Sequence, residues 1–386
     1  MSLVITSDLA DREAPAPVVP SHADLIVLNR RPGAALLPGD LVRDRRALPK
    51  PAPGQVVVHN ILTTVDEGIL PNLRGYGRAP VAVGDPIPAT SVGRVVGSAD
   101  PAVPVGTRVR TSTGWQTLAT TTITSDQIVD LALGGPLDWV TVLDSPGVIA
   151  YLGVHDIGRV RAGASVLVTE AASATGGAAV QLARAAGARV VAMAGGRYRV
   201  NRAAELLGAD AVIDYLDPAF PGNLRAAVGD GVDLVFDSSG DHHLQLSLSV
   251  IKDNGSIVLC DAELTPGVLK HVTLSGHLVG RRTGGRLYPV CVELAATMRA
   301  HVVADKCLPA VRAELGHLVR MRRLGAVVTE FEGLDRAPAA LATAAEHGLS
   351  VAGRCVVWMS AAERPEWIIG GQRGRWSHAL PAAGHR

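Results

Sequence analysis

Cysteine is scarce in this 386-residue chain: Cys260, Cys291, Cys307 and Cys355 are the whole set, and no two have CxxC spacing. That excludes a disulfide-stapled scaffold and predicts a reducing compartment, the cytoplasm. Aromatic residues make up only 3%, and lysine occurs only at Lys50, Lys252, Lys270 and Lys306. Arginine therefore carries most of the 37 basic charges, which 36 acidic ones offset to a formal charge of +1. With no basic surplus, neither a nucleic acid nor an anionic membrane is expected as a partner. No apolar run reaches the roughly 18 residues of a membrane span. The first twenty residues lack the basic and apolar regions of a secretory signal. Abundant Ala, Gly and Val beside so much arginine reads as a GC-rich bacterial coding bias.

What is present is enough apolar residue, 47%, to bury sizeable cores in a chain too long for one ordinary domain. Residues 1–23 read as a polar extension. Residues 24–137 carry short β runs (LIVLN, QVVVHNILTTV, SVGRVVGS, TRVRTST) broken by Gly and Pro, which predicts a barrel-like β domain. From Asp138 to about residue 287 the texture alternates. SPGVIAYLGVHDIG reads as a helix, ASVLVTEA as a strand, GGAAVQLARAAG as a helix and ARVVAMA as a strand. RYRVNRAAELLG, AVIDY, PGNLRAAVG, VDLVFDSSG, HHLQLSLSVIKDNG and SIVLCD continue the alternation, and HVTLSGHLVG reads as a further strand. Apolar strands between amphipathic helices predict a doubly wound parallel sheet. Residues 288–360 read as helical to Leu324, an extra segment before AVVTEFEG and GRCVVWM return the chain to its first domain. Residues 361–386, with Trp367 and Trp376, read as a tail.

The turn Ser173-Ala174-Thr175-Gly176-Gly177 follows the first strand of the alternating run and opens a helix. Small residues there let backbone approach a pyrophosphate, whose charge sits on the helix N-terminus. The second strand ends in Gly195-Gly196-Arg197-Tyr198-Arg199. A carboxylate at that place accepts from the ribose 2′-hydroxyl of NADH. Two arginines instead favour the 2′-phosphate of NADPH. Cations at a helix start oppose its dipole, which strengthens the expectation of a phosphate ligand.

Around these residues the chain resembles the medium-chain dehydrogenase/reductase superfamily, and within it the zinc-independent alkenal/prostaglandin reductases, with quinone oxidoreductases nearby. AGGRYR is similar to that branch's AGG-x-x-K cofactor loop, with Arg199 in the lysine's place. Tyr215 in VIDY sits where the branch carries a tyrosine beside the 2′-phosphate. VDLVFDSSG, with Ser238 and Ser239, resembles the FDNVGG loop, and Cys260 ends the strand under the nicotinamide. VGTRVRTSTGWQTLAT, with Gly106, Gly114, Trp115 and Gln116, looks like the VGD-V…GWQ-YA stretch. The resemblance implies a GroES-like β-barrel domain plus a Rossmann domain, NADPH in the cleft and hydride transfer to an activated double bond of a small-molecule substrate. It also implies a homodimer.

Departures fall on the substrate side. The Cys/His pair, GHE motif and four-cysteine lobe of the zinc-dependent members are absent, so no metal is expected. Where the branch carries DPYMR, this chain has Val65-Asp66-Glu67-Gly68-Ile69-Leu70, and no tyrosine follows Cys260. Reduction of an enone needs the developing enolate stabilised and a proton delivered to the α carbon. Tyr288, Tyr76, Glu67 and Asp66 are the candidates, none placed by spacing. The leading expectation is an NADPH-dependent double-bond reductase, in a secondary-metabolite pathway given the altered substrate face. The same departures leave open a non-redox cyclase, lyase or isomerase on this fold, or a nucleotide-sensing subunit without chemistry.

Overall fold

The computed structural model describes residues 19–239, 243, 246, 249–259, 278–283, 286–294, 308–345, 352–359, 368–369 and 372–373. The chain opens with strands β1 (His22–Leu28) and β2 (Leu41–Ala47), an antiparallel pair. Strand β3 (Val56–Val65) follows, buried along nearly its whole length. Asp66 then caps a single 3₁₀ turn by accepting from the Gly68 N–H, and the short helix α1 (Leu70–Arg74) ends at Gly75, whose φ of 93° suits only glycine well. Strands β4 (Ser91–Ser98), β5 (Arg108–Thr111) and β6 (Leu118–Thr121) complete the first pass. Helix α2 (Ser145–Tyr151) runs on into a π-helical stretch to Ile157.

The alternating half then unfolds as β7 (Ser165–Val168), α3 (Ala174–Ala185), β8 (Arg189–Ala194), α4 (Arg197–Leu206), β9 (Ala211–Asp214), α5 (Phe220–Val228) and β10 (Val232–Asp237). Strands β11 (Ile251–Leu259), β12 (Leu278–Thr283) and β13 (Arg286–Leu294) extend the sheet. Helix α6 (Leu308–Arg320), strand β14 (Val328–Glu332), helix α7 (Ala337–Ala345) and strand β15 (Arg354–Trp358) bring the chain back.

The sheet order β12-β13-β11-β10-β7-β8-β9 is parallel throughout except for β12, which runs antiparallel to β13. Strands β7, β8 and β10 are almost entirely buried because apolar clusters cover both faces. Strand order reverses between β7 and β10, and there the carboxyl ends diverge to leave a crevice. The second sheet runs β14-β15-β3-β4-β5, with β6 also on β3. Residues 328–358 thus join, through β15, a strand laid down some 290 positions earlier. This α/β architecture, a β domain joined to a Rossmann parallel sheet, is the expected one.

Two local expectations are corrected. The chain from Tyr288 to Leu294 is strand, not helix: Ser256–Leu259 of β11 pair in parallel with Cys291–Leu294. Leu287, Tyr288, Val290 and Val292 have β propensity that Glu293 and the alanines after it masked. Helix formation after His243 stops at Val250, and Ile251-Lys252-Asp253-Asn254-Gly255, read as the end of that helix, begins β11. Val232 pairs with Ile251 and Leu234 with Ser256, so an irregularity in the ladder absorbs the Asp-Asn-Gly turn.

Candidate active site

Ser173 sits just before α3 and its Oγ accepts the Gly176 N–H at 3.0 Å, fixing where the helix begins. Gly176 is obligatory there, since a Cβ would lie 2.3 Å from the Glu170 carbonyl oxygen. Gly177 is less confined: a Cβ there would lie 3.2 Å from the Ala171 oxygen. The helix therefore presents its unpaired first N–H groups to the crevice, where Ser173, Ala174 and Thr175 form one wall. Gly196 precedes α4 with φ 81°, so the chain turns directly from β8 into the helix that carries Arg197 and Arg199.

Those two arginines part company. Arg197 is exposed and does not line the crevice, whereas Arg199 is 8% exposed and does. Its guanidinium Nη2 meets Glu170 Oε2 at 2.8 Å, and its buried Nε has no hydrogen-bond partner among the described residues. Tyr215, just past β9, lines the same cavity; burial, and then its hydrogen bond to Glu170, pushes its hydroxyl pKa upward. A Cβ on Gly195 would lie 2.3 Å from the Tyr215 hydroxyl, so that glycine makes the tyrosine's seat. Glu170 itself adopts φ 46°, a strained backbone for a non-glycine residue.

Deeper in the crevice, Ser238 N–H donates to Thr169 Oγ1 at 2.9 Å and Ser238 Oγ to the Thr169 carbonyl at 3.1 Å. Ser239 bonds Asp237 from both its N–H and its Oγ, and His243 Nδ1 is 2.9 Å from the same Oγ. These bonds tie the ends of β7 and β10 together; Ser238 lines the cavity, while Ser239 braces it from behind. Cys260 lies outside the described residues.

The β domain supplies the opposite wall, closing a cavity of about 700 Å³. Asp66 and Glu67 both line it. Crowding by the cleft walls, then the charge of Asp66, raises the Glu67 carboxyl pKa, although the side chain still meets solvent. Arg354 stands between this cavity and a second one of about 380 Å³ bordered by Thr64, Asp66, Pro88 and Trp115. It donates to the Val140 carbonyl at 2.9 Å and pairs with Asp144 at 3.4 Å and Asp66 at 3.8 Å. Trp115 Nε1 donates to the Thr64 carbonyl at 2.9 Å, which fixes the indole beneath the smaller cavity. Cys355 also faces the main cavity, but burial pushes its thiol up to about 12, so it is no nucleophile at neutral pH.

Of the four substrate-side candidates, the structure therefore brings Asp66 and Glu67 to the cleft and leaves Tyr76 away from it. Tyr76 is 70% exposed and lies against Arg74, outside both cavities. Tyr288 lies on β13, its side chain outside the described residues. Sequence reasoning missed Glu170, Arg354 and Cys355. Glu170 had a signal, a lone acid in a turn of Ala, Ser, Thr and Gly; the other two reach the site only because β15 pairs with β3. No cluster of three or more metal-ligating side chains exists among the described residues. Nor is any described helix long and apolar enough to cross a membrane.

Comparison with known proteins agrees with this geometry. A family model described as zinc-binding dehydrogenase matches residues 174–297, and one described as the N-terminal domain of oxidoreductase matches residues 25–129. The NADPH-dependent curcumin reductase of Escherichia coli (strain K12) is 27% identical over 303 residues, 72% of this chain and 86% of that protein. The 2-alkenal reductase (NADP(+)-dependent) of Nicotiana tabacum is 30% identical over 259 residues, 62% of this chain and 74% of that one. In fold, the chain is similar to the crystal structure of CurA in complex with NADPH from Vibrio vulnificus, with a TM-score of 0.71 and 22% identity over 89% of this chain and all of that one. A Rossmann crevice facing a β domain, with relatives of this kind, makes the chain an oxidoreductase of the medium-chain dehydrogenase/reductase superfamily, in its zinc-independent reductase branch.

Proposed function

We propose that this protein is an NADPH-dependent reductase of the activated carbon–carbon double bond in small α,β-unsaturated carbonyl compounds or quinones. The observation that carries the proposal is one cavity lined by a small-residue helix start, the buried Arg199, the acids Asp66 and Glu67, and Arg354. The residues present fit the dinucleotide. Gly176 lets the helix start close against the Glu170 carbonyl, which leaves Ser173, Ala174 and Thr175 on the cavity wall, and Arg199 keeps a buried donor unused. Ser173, Ala174 and Thr175 would hold its pyrophosphate, Arg199 and Tyr215 its adenosine phosphate, and Ser238 its inner ribose. When bound there, NADPH supplies the hydride.

The chain's own groups do the rest. Ile69, Pro88, Ala89 and Trp115 of the β domain give the substrate an apolar bed beside Arg354. Glu67 lines the cavity with a carboxyl whose pKa burial raises, and it is the side chain we assign to α-carbon protonation. Asp66 is fixed as the cap of the turn that carries Glu67 and acts by placement. The relatives named for curcumin and 2-alkenal reduction support this reaction class. A role in secondary metabolism, a homodimeric assembly and a cytoplasmic location belong to the same reading.

Titrating the protein with NADPH and NADH by fluorescence, then following cofactor oxidation against enals, enones and quinones, tests it. Saturable NADPH binding with turnover is the expected result. Substrate conversion that proceeds equally with all dinucleotide removed would replace the reductase by a lyase or isomerase. Light scattering on the eluting protein checks the dimer.

A further inference from the structure

The adenosine end of the cavity holds a charge that the reductase reading does not need. Every other residue of the turn between β7 and α3 is small: Thr169, Ala171, Ala172 and Ser173. Glu170 alone is long and acidic, and it is held at φ 46°, a backbone conformation that strains a non-glycine residue. Its side chain folds toward the cavity rather than into solvent, leaving 18% exposed. There its Oε2 lies 2.8 Å from Arg199 Nη2, and the Tyr215 hydroxyl bonds it too. The two groups best suited to grip a 2′-phosphate are thus both already engaged by one carboxylate.

We propose that Glu170 is a specificity-determining residue that competes with the adenosine 2′-phosphate for Arg199 and Tyr215. The inference rests on the dinucleotide reading above. A phosphate dianion docking on this guanidinium must share it with, or displace, a carboxylate in van der Waals reach, and like charges so close repel. NADH meets no such conflict, because its 2′-hydroxyl can donate to a carboxylate, the bond that acidic residues make in NAD sites. Glu170 therefore narrows the discrimination that Arg199 and Tyr215 would otherwise enforce, leaving both dinucleotides usable. Asp214 at the same end is occupied in accepting the Gly196 and Leu216 N–H groups, which makes Glu170 the acid that faces the guanidinium directly.

The test compares dissociation constants of NADPH, NADH and the fragment 2′,5′-ADP for the wild type, Glu170→Gln and Glu170→Gly. The glycine variant suits the left-handed backbone, so a disturbed turn in one variant does not spoil the comparison. Thermal unfolding checks both folds. Removing the charge is expected to raise the NADPH-to-NADH affinity ratio about tenfold and to tighten 2′,5′-ADP by a similar factor. A ratio that stays put or falls in both variants would show Glu170 to be a strut holding Arg199 in place, and would overturn the proposal while leaving NADPH binding intact. Wild-type protein that binds neither dinucleotide would take down the reductase reading and this inference together.

Discussion

At the scale of single residues, environment decides function more than identity does. Cys355 faces the main cavity, yet burial and the nearby acids Glu67 and Asp66 hold its thiol at about 12. Alkylation of native protein by iodoacetamide at pH 7.5, read by peptide mass spectrometry, should leave Cys355 essentially unmodified, with full labelling once the chain is unfolded. Rapid native labelling would mean that the cleft is far wetter than its geometry implies. Glu67 has the opposite character, a carboxyl whose raised pKa favours keeping a proton. Glu67→Gln is expected to lower kcat about a hundredfold, the lower range for a lost general acid, with KM for NADPH unchanged. In the wild type, kcat should fall as pH rises through the Glu67 pKa; an identical profile in the variant would pass the proton to water. Arg199→Ala should weaken NADPH more than NADH, and equal losses would remove the phosphate from this site. The residue that complicates that expectation, Glu170, was visible in the sequence only as an oddity, because its partner Arg199 comes from the next strand–helix unit.

At the scale of elements, turns and starts were the most legible parts. The Ser173-to-Gly177 helix start and the Gly196 turn could be read from small residues alone, since only glycine allows the close approach at Gly176 or the φ of 81° at Gly196. The stretches Ile251–Gly255 and Tyr288–Leu294 were not legible, although Ser256–Leu259 was read as the strand it is. Lys252-Asp253-Asn254-Gly255 has the local chemistry of a turn and skips the ladder; only the pairing of its flanks, Ile251 with Val232 and Ser256 with Leu234 and Cys291, keeps it in line with the strand. The turn before α2 offers a stability test. Asp138 accepts the Gly135 N–H at 2.9 Å, but burial outweighs that bond and raises its carboxyl to about 6 from 3.8. A folded pKa above the unfolded one means that the stability linked to this proton is full below about pH 4 and is lost as pH climbs past 6. Asp138→Asn keeps an acceptor for Gly135 and should stabilise the protein by about 1–2 kcal/mol at pH 8, after allowance for partial solvation, with little effect at pH 4. Urea unfolding at the two pH values measures it, and an equal gain at both would refute the assignment.

At the scale of the whole molecule, the cleft exists because two sheets are locked together. One apolar cluster runs from Leu62, Val92 and Trp358 through Trp139 and Leu143 to Val166 and Phe236, so the two domains share core. Beside it, Asp144, 4% exposed, takes Arg110 at 2.9 Å and Arg354 at 3.4 Å. Arg312 of α6 lies 5.2 Å from the Trp139 ring and donates to the Leu143 and Asp126 carbonyls, binding the return helix to the same loop. Arg354→Ala leaves Asp144 with one cation and the Val140 carbonyl without its donor, and is expected to cost about 2–3 kcal/mol in urea unfolding. A loss under about 0.5 kcal/mol would show the arginine to be a cleft residue with no structural load.

The sequence by itself determined the doubly wound half, the β texture on either side of it and the place of the dinucleotide turn, because these follow from hydrophobic period, small residues and chain order. Tertiary structure alone decided what stands in the cavity. Strand β15 inserts beside β3 and delivers Arg354 and Cys355, and the crossover from β7 to α4 sets Glu170 against Arg199. Such meetings depend on which strands become neighbours, and strand neighbourhood is set by the packing of the whole chain rather than by any local run of residues.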